Sequence, residues 1–328
     1  MKAKFSLAVL SLVALPTMAQ LSEQAGFSGE VSLSAGFASS TSNFNTDGDK
    51  TISNVNQTAS ADSGSLVLPL GSLAYTFGAN LDKQFYVGMA REDIAVGTLA
   101  LELGYKQQLS SGMVIDASFL PTIMSGETWS DPFLTGQERQ TTDETGNAFR
   151  LKFSNIMGSN FSLDTAYATS DIDNEKSGAS NNSLTTAERR ALQRDASSIY
   201  FKGDYRLPLT RTSFLQPSLT YIKTDADGDA NSLDSVSGEL SYFKILNRHQ
   251  FAITAGYTNR SYDASNPIYG KTRDEDELSF FAAYEYQEFM GWQDWSLVSF
   301  AGYSKTDANI DFYDEDQYLF SVGMSYQF

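Results

Sequence analysis

Residues that could act as a catalytic base are scarce in this chain of 328 residues, which contains one histidine, His249, and no cysteine. Hydrolytic sites usually pair a nucleophile with a histidine base or use an activated water. His249 lies in a short polar stretch, residues 247–250, between two apolar segments. A histidine in a solvated turn is the simplest interpretation. Because no second histidine can complete a site, the sequence argues against an enzyme.

Oxygen ligands at alternate positions occur in the stretch DADGDAN at residues 225–231. Asp225, Asp227, Asp229 and Asn231 alternate around a glycine, and carboxylate and amide oxygens of a tight loop suit Ca²⁺. The stretch departs from an EF-hand loop because Gly228 comes too early and no glutamate follows at the closing position. It is therefore a calcium candidate, with a solvated acidic hairpin loop as the alternative.

A basic helix is predicted within the polar connection at residues 170–196. Thr185 and Glu188 have the spacing of a capping box, in which each side chain bonds the backbone N–H of the other. Arg189, Arg190 and Arg194 follow in a chain that has 40 acidic residues and 23 basic ones. Such a helix either folds inwards and narrows an opening or lies over its rim. Glu188 and the three arginines are therefore candidate constriction residues.

The elements that must position these side chains follow from a hydrophobic period of two. In residues 317–328, QYLFSVGMSYQF, the apolar and aromatic side chains share one parity, while small and polar ones dominate the other. An extended strand with this pattern has one apolar and one polar face. About fourteen such segments, separated by turn-forming residues, recur along the chain. Twelve or sixteen strands would also fit the pattern.

The polar parity of these strands carries charges besides serine, threonine and glycine. A polar and charged interior is what a water-filled channel needs, whereas a solid barrel packs apolar side chains inside. We therefore predict a lumen that is lined by one set of charged residues. They are Glu30, Glu102, Lys106, Arg150, Lys152, Lys202, Asp204, Glu239 and Glu285.

Both ends of the sequence indicate export to a membrane. Lys2 and Lys4 precede an apolar run at residues 5–15, and small residues follow where a signal peptidase cuts. The predicted domains are a signal peptide, residues 1–19, and a single barrel domain, residues 20–328. At the other end, alternate apolar residues lead to an aromatic terminus, which is typical of the closing strand of an outer-membrane barrel. The candidate barrel-assembly signal is Val322, Met324, Tyr326 and Phe328.

The connections between the predicted strands alternate between short and long. Among them are predicted turns at residues 82–83 and 207–210, a short connection at residues 91–93 and a loop at residues 259–276. The alternation indicates an all-β fold, a transmembrane antiparallel up-and-down β-barrel of about 14 strands, with periplasmic termini, short periplasmic turns and long extracellular loops. The formal net charge of −17 argues against nucleic acid as a partner. Acidic runs in the predicted outer loops, at residues 225–231, 274–277 and 314–316, favour cations at the entrance. They could also hold Ca²⁺ or Mg²⁺ that bridges to lipopolysaccharide.

The leader, the closing strand and the loop pattern resemble those of Gram-negative outer-membrane porin-like barrels, and the overall layout is similar to that of the exported DUF2860 family. The resemblance implies the cell outer membrane of a Gram-negative bacterium, contact with its lipid and lipopolysaccharide, and insertion by the barrel-assembly machinery. We expect a non-enzymatic channel for passive diffusion of small hydrophilic solutes that prefers cations. The alternative is a non-conducting surface barrel of the adhesin or phage-receptor type, whose acidic loops bind ions, lipopolysaccharide or partners. The oligomeric state stays open.

Overall fold

The computed structural model of the chain describes residues 21–22, 24–89, 94, 100–121 and 126–328. The predicted signal peptide, residues 1–19, lies outside the described residues, and so does the predicted short connection at residues 91–93. Within the described ranges, no helix is long and apolar enough to cross a membrane.

The described chain folds into one antiparallel sheet of 16 strands. The strands are β1 (Gly26–Thr41), β2 (Asp62–Phe77), β3 (Lys83–Met89), β4 (Leu101–Gln108), β5 (Val114–Pro121), β6 (Gly126–Trp129), β7 (Thr141–Ser154), β8 (Phe161–Ile172), β9 (Ala196–Tyr205), β10 (Leu207–Thr210), β11 (Ser213–Ala226), β12 (Leu233–Leu246), β13 (His249–Asn266), β14 (Lys271–Gln287), β15 (Trp295–Ala308) and β16 (Glu315–Gln327). A short helix, α1 (Thr186–Arg190), lies between β8 and β9.

The sheet closes on itself because β16 pairs with β1 as well as with β15. Strands β5 and β6 both pair with β7, so they share one position in the ring. Strands β9 and β10 both pair with β11 and share another. The result is the predicted closed antiparallel barrel of 14 strands. Within the described residues, each of the 14 ring positions has a hydrogen-bonded neighbour on both sides, which matters in lipid because an unsatisfied backbone group there would cost several kcal/mol.

The outer surface of the barrel is apolar and bounded by aromatic residues. Alternate residues of each strand point outwards and are exposed, among them Phe27, Val31, Leu33, Val67, Phe149, Leu219, Leu240, Ile253, Leu278, Phe280 and Phe320. Three tyrosines each donate a hydrogen bond to an aspartate of the next strand: Tyr221 to Asp234, Tyr257 to Asp276 and Tyr303 to Asp316. This arrangement suits a membrane interface, where one end of an aromatic side chain is apolar and the other is hydrated.

His249 belongs to the aromatic boundary at the periplasmic end. It is the first residue of β13 and follows a turn at residues 247–248. Its Nδ1 lies 2.8 Å from the hydroxyl of Tyr284, and its ring stacks on that of Tyr286 at 4.7 Å between centroids. The prediction of a turn histidine is therefore close in position, but the ring is held by aromatic neighbours rather than freely solvated.

Three sequence predictions about connections were wrong. Leu207–Thr210 is not a turn but β10, where Pro208 is tolerated at the rim because no further strand residue needs its missing N–H. The predicted loop at residues 259–276 is mostly strand, and only residues 267–270 connect β13 to β14. The hairpin turn placed at residues 82–83 lies at residues 78–82, with Leu81 in the left-handed region at φ 54°. Among the described outer connections, those at residues 42–61, 130–140 and 173–195 are long, whereas those at residues 227–232, 267–270 and 309–314 are short.

Candidate functional site

One register level of the inner wall carries charges of alternating sign on five neighbouring strands. Cross-strand pairing places these residues directly side by side, in the order Lys106, Asp116, Lys152, Asp164 and Lys202. Directly opposed side chains of opposite charge attract, and like charges there would repel. We call this set the charged row. Asp116 and Asp164 thus each lie between two lysines, and Lys106 approaches Asp116 at 3.6 Å.

Arg150 lies next to the charged row and binds the carboxylates of Glu102 and Asp164. Its Nε lies 2.9 Å from Oδ2 of Asp164, and its Nη1 lies 2.5 Å from Oε1 of Glu102. Only 14% of the arginine side chain and 3% of each carboxylate side chain is exposed. The hydroxyl of Tyr86 lies within hydrogen-bond distance of both Glu102 and Asp116, at 3.0 and 2.7 Å. These contacts form one buried network of hydrogen-bonded charges.

The inward charges continue beyond the charged row to a second ion pair, which involves β12. We call the inward charged residues from β4 to β12 the charged wall. Lys202 donates to Oε2 of Glu239 at 2.7 Å, and the hydroxyl of Ser218 donates to the same oxygen at 3.0 Å. Asp204 accepts a hydrogen bond from the Gln216 amide at 3.1 Å. The wall therefore contains bases and acids in similar numbers, and most of them are paired within the wall.

The residues predicted to face the lumen all lie at inward positions, but not all in one group. Seven of them belong to the charged wall: Glu102, Lys106, Arg150, Lys152, Lys202, Asp204 and Glu239. Glu30 accepts a hydrogen bond from Ser325 across the strands β1 and β16. Glu285 is buried opposite Gln250 on β13. The predicted set omitted Asp116, although the period of two places it on the inward face of β5.

In the other half of the inner wall, formed by β11 to β16 with β1 and β2, one register row is mostly apolar, and we call these strands the apolar half. One register level, from β11 through β16 to β1 and β2, carries Phe214, Phe243, Ala252, Ala283, Phe300, Ser321, Gly36 and Leu66 in that order. We call this set the apolar row. Phe214 and Phe243 stack at 4.4 Å between ring centroids, and both are nearly fully buried.

A cavity of about 820 Å³ lies against this apolar half, on the outer side of the apolar row. Its wall is formed by the next register level, which includes Thr254, Phe281, Gly302, Leu319 and Ala38. A side chain at Gly302 would approach both Phe281 and Leu319 at 3.3 Å, so the glycine leaves room for these two larger groups. The carboxylates of the cavity wall come from Asp47, Asp62, Glu239 and Glu315.

A smaller recess of about 390 Å³ adjoins the cavity and shares Ser42, Phe44, Ser304, Glu315 and Gln317 with it. Two arginines of the recess are held by internal partners. Arg260 pairs with Glu277 and Glu275, whereas the guanidinium of Arg273 pairs with Glu275 at 3.4 Å. The same guanidinium lies between the rings of Tyr262 and Tyr313, 3.6 and 3.9 Å from their centroids. Aromatic faces and carboxylates together thus hold a cation in this part of the lumen.

The outer connections fold into a cap with its own apolar core. Its buried members come from the connections after β1, β6, β8 and β15, and they are Ile52, Phe133, Leu184, Leu192, Ile310, Phe312 and Tyr313. Ile268 and Tyr269 of the connection after β13 pack against them. Phe312 is fully buried. We call this cluster the cap. Loops that bury a shared apolar core are held far more firmly than solvated loops.

Polar contacts tie the cap together at Arg139. Its guanidinium donates to the backbone carbonyls of Asn43, Asp49 and Pro132, and it lies 4.2 Å from the ring of Trp129. Burial lowers the pKa of Arg139 to about 10. The side-chain amide of Asn43 donates to the carbonyl of Phe312 at 2.9 Å, which links the first connection to the last.

The predicted basic helix lies in the cap. The capping box is present, since Thr185 accepts from the amide of Glu188 and the Glu188 carboxylate accepts from the amide of Thr185. Arg194 binds Glu175, Thr128 and the carbonyl of Trp129, and Arg189 donates to the carbonyl of Asn181. Arg190 is exposed. The contacts of Arg189 and Arg194 are thus with outer connections and β6, while the constriction role of these residues stays a prediction.

The calcium candidate also takes part in the cap. The side-chain amide of Asn231 donates to the carbonyls of Leu192 and Gln193, so the amide nitrogen serves the connection after β8. Asp225 lies 4.0 Å from Lys223. Among the residues that the structure describes, no group of three or more acidic or histidine side chains is placed to hold a metal ion.

The aromatic end of the chain takes part in the pairing that closes the barrel. Phe328 exchanges two backbone hydrogen bonds with Gly29, at 2.9 and 3.0 Å, beyond the last paired residues of β16. Tyr326 packs on Trp295 and Phe328, with ring centroids 5.0 and 6.2 Å away. Val322 and Phe328 are exposed on the outer surface. Recognition of this segment by an assembly factor stays a prediction.

Comparison with solved structures gives outer-membrane proteins. The OmpT protein of Vibrio cholerae, in a mutant lacking loop L8, is 14% identical, covers 92% of this chain and 98% of its own, and has a TM-score of 0.42. The outer-membrane channel DcaP of Acinetobacter baumannii is 10% identical over 92% of this chain and 96% of its own, with a TM-score of 0.44. OprD of Pseudomonas aeruginosa is 11% identical over 93% and 97%, with a TM-score of 0.37. Comparison with curated proteins gives no match.

A closed antiparallel barrel with an apolar outer band is the architecture of proteins of the Gram-negative outer membrane. This chain has that architecture. The family model described as "Protein of unknown function (DUF2860)" matches residues 26–327, which is nearly the whole chain. The protein therefore belongs to the DUF2860 family.

Proposed function

We propose that the protein is a channel for passive diffusion of small hydrophilic solutes across the outer membrane. The observation that carries the proposal is the inner wall: charged and hydroxyl side chains face inwards and lead to a cavity of about 820 Å³ inside the barrel. A polar interior with free volume is what passage of hydrated solutes requires, whereas a structural barrel fills its interior.

Cation preference is part of the proposal. The cavity wall contains the carboxylates of Asp47, Asp62, Glu239 and Glu315, and among its described residues it contains no lysine or arginine. A cavity lined by one sign of charge concentrates ions of the opposite sign. The charged row contributes little to selectivity because its acids and bases alternate and neutralise each other.

The cap supports low conductance rather than a wide pore. It packs side chains of several outer connections against each other at the outer end of the barrel. Solutes would enter through gaps between the loops or after a local opening of the cap. Loosening the cap by Phe312→Ala should therefore raise the conductance or the frequency of opening.

The test is single-channel conductance of the refolded barrel in planar bilayers, at low and high salt and under a salt gradient. We expect steady conductance, with a reversal potential that reports cation preference. The double variant Glu239→Gln/Glu315→Gln should reduce that preference. The control Asp276→Asn changes an outward carboxylate and should leave it unchanged. Absence of conductance from a folded, heat-modifiable barrel, with the cap intact or loosened, would refute the channel.

A second function is favoured by the cap itself. A buried core within surface loops is what a binding surface of fixed shape needs, and outward aspartates below it, such as Asp234, Asp276 and Asp316, lie beside the tyrosines of the membrane interface. We propose as the alternative a surface barrel that binds lipopolysaccharide, with Ca²⁺ or Mg²⁺ as the bridge between carboxylate and phosphate. In that case the refolded barrel would be silent in bilayers and would retain lipopolysaccharide less well in the presence of a chelator.

A further inference from the structure

The apolar half of the lumen is not what diffusion of purely hydrophilic solutes requires. Phe281, Phe300, Leu66 and Leu319 all point inwards and are only partly buried. Apolar side chains that face water are unfavourable compared with the serine and threonine of the same wall. The sequence places them at successive strands of one half of the barrel, beside the cavity. A solute with an apolar portion would cover them.

The charges of the cavity indicate the sign of such a solute. Glu239 and Glu315 lie on different strands of the cavity wall, β12 and β16. Glu239 is neutralised by Lys202, which approaches it from the charged wall at 2.7 Å. In the adjoining recess, Arg260 and Arg273 neutralise Glu275 and Glu277. Glu315 instead accepts a hydrogen bond from the neutral Gln317 amide and, among the described residues, forms no ion pair. The Glu315 side of the cavity is therefore the more negative one.

The recess beside Glu315 already shows how a cation is held here. Arg273 is stacked between two tyrosine rings and paired with a carboxylate. The cavity offers the same combination without a resident cation, because Phe44 and Phe281 share its wall with Glu315. An ammonium group near a carboxylate and an aromatic face gains both ionic and cation–π attraction.

We propose that the cavity binds organic cations that carry an apolar skeleton, such as aryl or alkyl ammonium compounds, with the ammonium group at Glu315 and the skeleton against Phe281 and Leu319. A volume of about 820 Å³ is within the range of small-molecule sites. As a transport site this inference rests on the proposed channel, but binding itself does not. Inorganic cations would lack the apolar contact, and apolar anions would be repelled by the carboxylates.

The test is calorimetric binding to the folded barrel in lipid nanodiscs, with empty nanodiscs as the reference for partitioning into lipid. The probes are phenethylammonium, methylammonium and phenylacetate. We expect phenethylammonium to bind at least about tenfold more tightly than either of the others, because only it can use both the apolar contact and the ionic one. Equal affinities for the three probes would overturn the proposal.

Two matched pairs of variants locate the site. Phe281→Ala/Leu319→Ala should weaken phenethylammonium binding about tenfold, while Phe320→Ala, which changes an outward residue next to Leu319, should not. Glu315→Gln should weaken the ammonium probe and relieve the exclusion of phenylacetate, while Asp316→Asn should do neither. Heat-modifiable mobility checks that each variant is folded. Binding that survives both inward variants would overturn the assignment.

The outcomes separate this inference from the channel. Conductance without selective binding would leave the channel standing and remove the site. Selective binding without conductance would keep the site and remove the channel. Block of the ion current by phenethylammonium, lost in Glu315→Gln, would join the two.

Discussion

The two halves of the inner wall use the same strand geometry for opposite purposes. On β4, β5, β7, β8 and β9 the charged row places acids and bases in alternation, so that each ionic group finds its partner on the neighbouring strand. On β11 to β16, β1 and β2 the apolar row places aromatic, small and aliphatic side chains at one level. In the charged half most of the charges are paired with each other, whereas the apolar half lines a cavity.

This difference teaches that charge in a lumen is not the same as charge available to a solute. In a pair such as Lys202 and Glu239, each charge is already largely neutralised by its partner in the wall. Selectivity is therefore expected from groups with fewer internal partners, such as Glu315. The charged half instead maintains the shape of the barrel, because a buried ionic network is destabilised strongly when one member is lost.

The largest effect is expected from Arg150→Ala. It leaves the buried carboxylates Glu102 and Asp164 without their shared cation, which should lower the free energy of unfolding by about 3–5 kcal/mol. Urea titration of the barrel in lipid vesicles measures the change. Lys176→Ala, at an exposed loop position, is the control. A loss no larger than that of the control would show that the charged half is not structural.

A smaller loss is expected from Phe243→Ala in the apolar row. It removes a buried ring that stacks on Phe214 and should cost about 3 kcal/mol, the lower end for truncation of a phenylalanine, because the cavity that remains adjoins a hydrated lumen. The same titration measures it, with the outward Phe320→Ala as the control. A loss greater than that of Arg150→Ala would reverse the roles assigned to the two halves.

Lys202→Gln tests the boundary between the halves. Removing this ammonium should cost about 1 kcal/mol, as for a partly exposed pair, and should expose the charge of Glu239 to the cavity. The expected result is a higher ratio of cation to anion permeability, measured as a shift of the reversal potential in a salt gradient. The double variant Lys202→Gln/Glu239→Gln should restore the original ratio. An unchanged ratio in the single variant would show that the pair does not reach the conducting path.

The smallest effect concerns the cap, which covers both halves. Hydrogen bonds from the backbone amide and the side chain of Thr185 lower the pKa of Glu188. A carboxyl whose pKa is lower in the folded state stabilises the fold above its unfolded pKa, and this contribution disappears as the pH falls through the folded pKa. Acidification below the usual carboxyl range should therefore fray α1. Hydrogen exchange at the amides of residues 188–191 measures it, and Glu188→Gln should remove the pH dependence.

The strands and their inward faces could be predicted from the sequence because the period of two survives in almost every strand. Arg150, Lys152 and Lys202 stand out as charges on a polar parity, and Asp116 could have been recognised in the same way. The register could not be predicted, because the stagger between strands depends on closure of the whole ring. The alternation of the charged row therefore appears only in three dimensions.

The cap could not be predicted from the sequence, for a different reason. Its core residues, such as Ile52, Phe133 and Phe312, come from separate connections and have no common period within any one of them. Composition identified these stretches as polar loops. That their few apolar residues pack against each other is seen only in the structure. The limits of the outer loops were wrong where β13 and β14 continue past the apolar outer band, since polar strand residues resemble loop residues in sequence.

The pairing of β1 with β16 has a consequence for how the protein is made. Glu30 and Ser325, separated by 295 positions, must meet before the ring exists. Until the last strand has been made, the first strand therefore has no permanent neighbour on one side. The unpaired N–H and C=O groups along this edge of β1 could pair with another chain, so closing the ring with β16 also removes a site of aggregation.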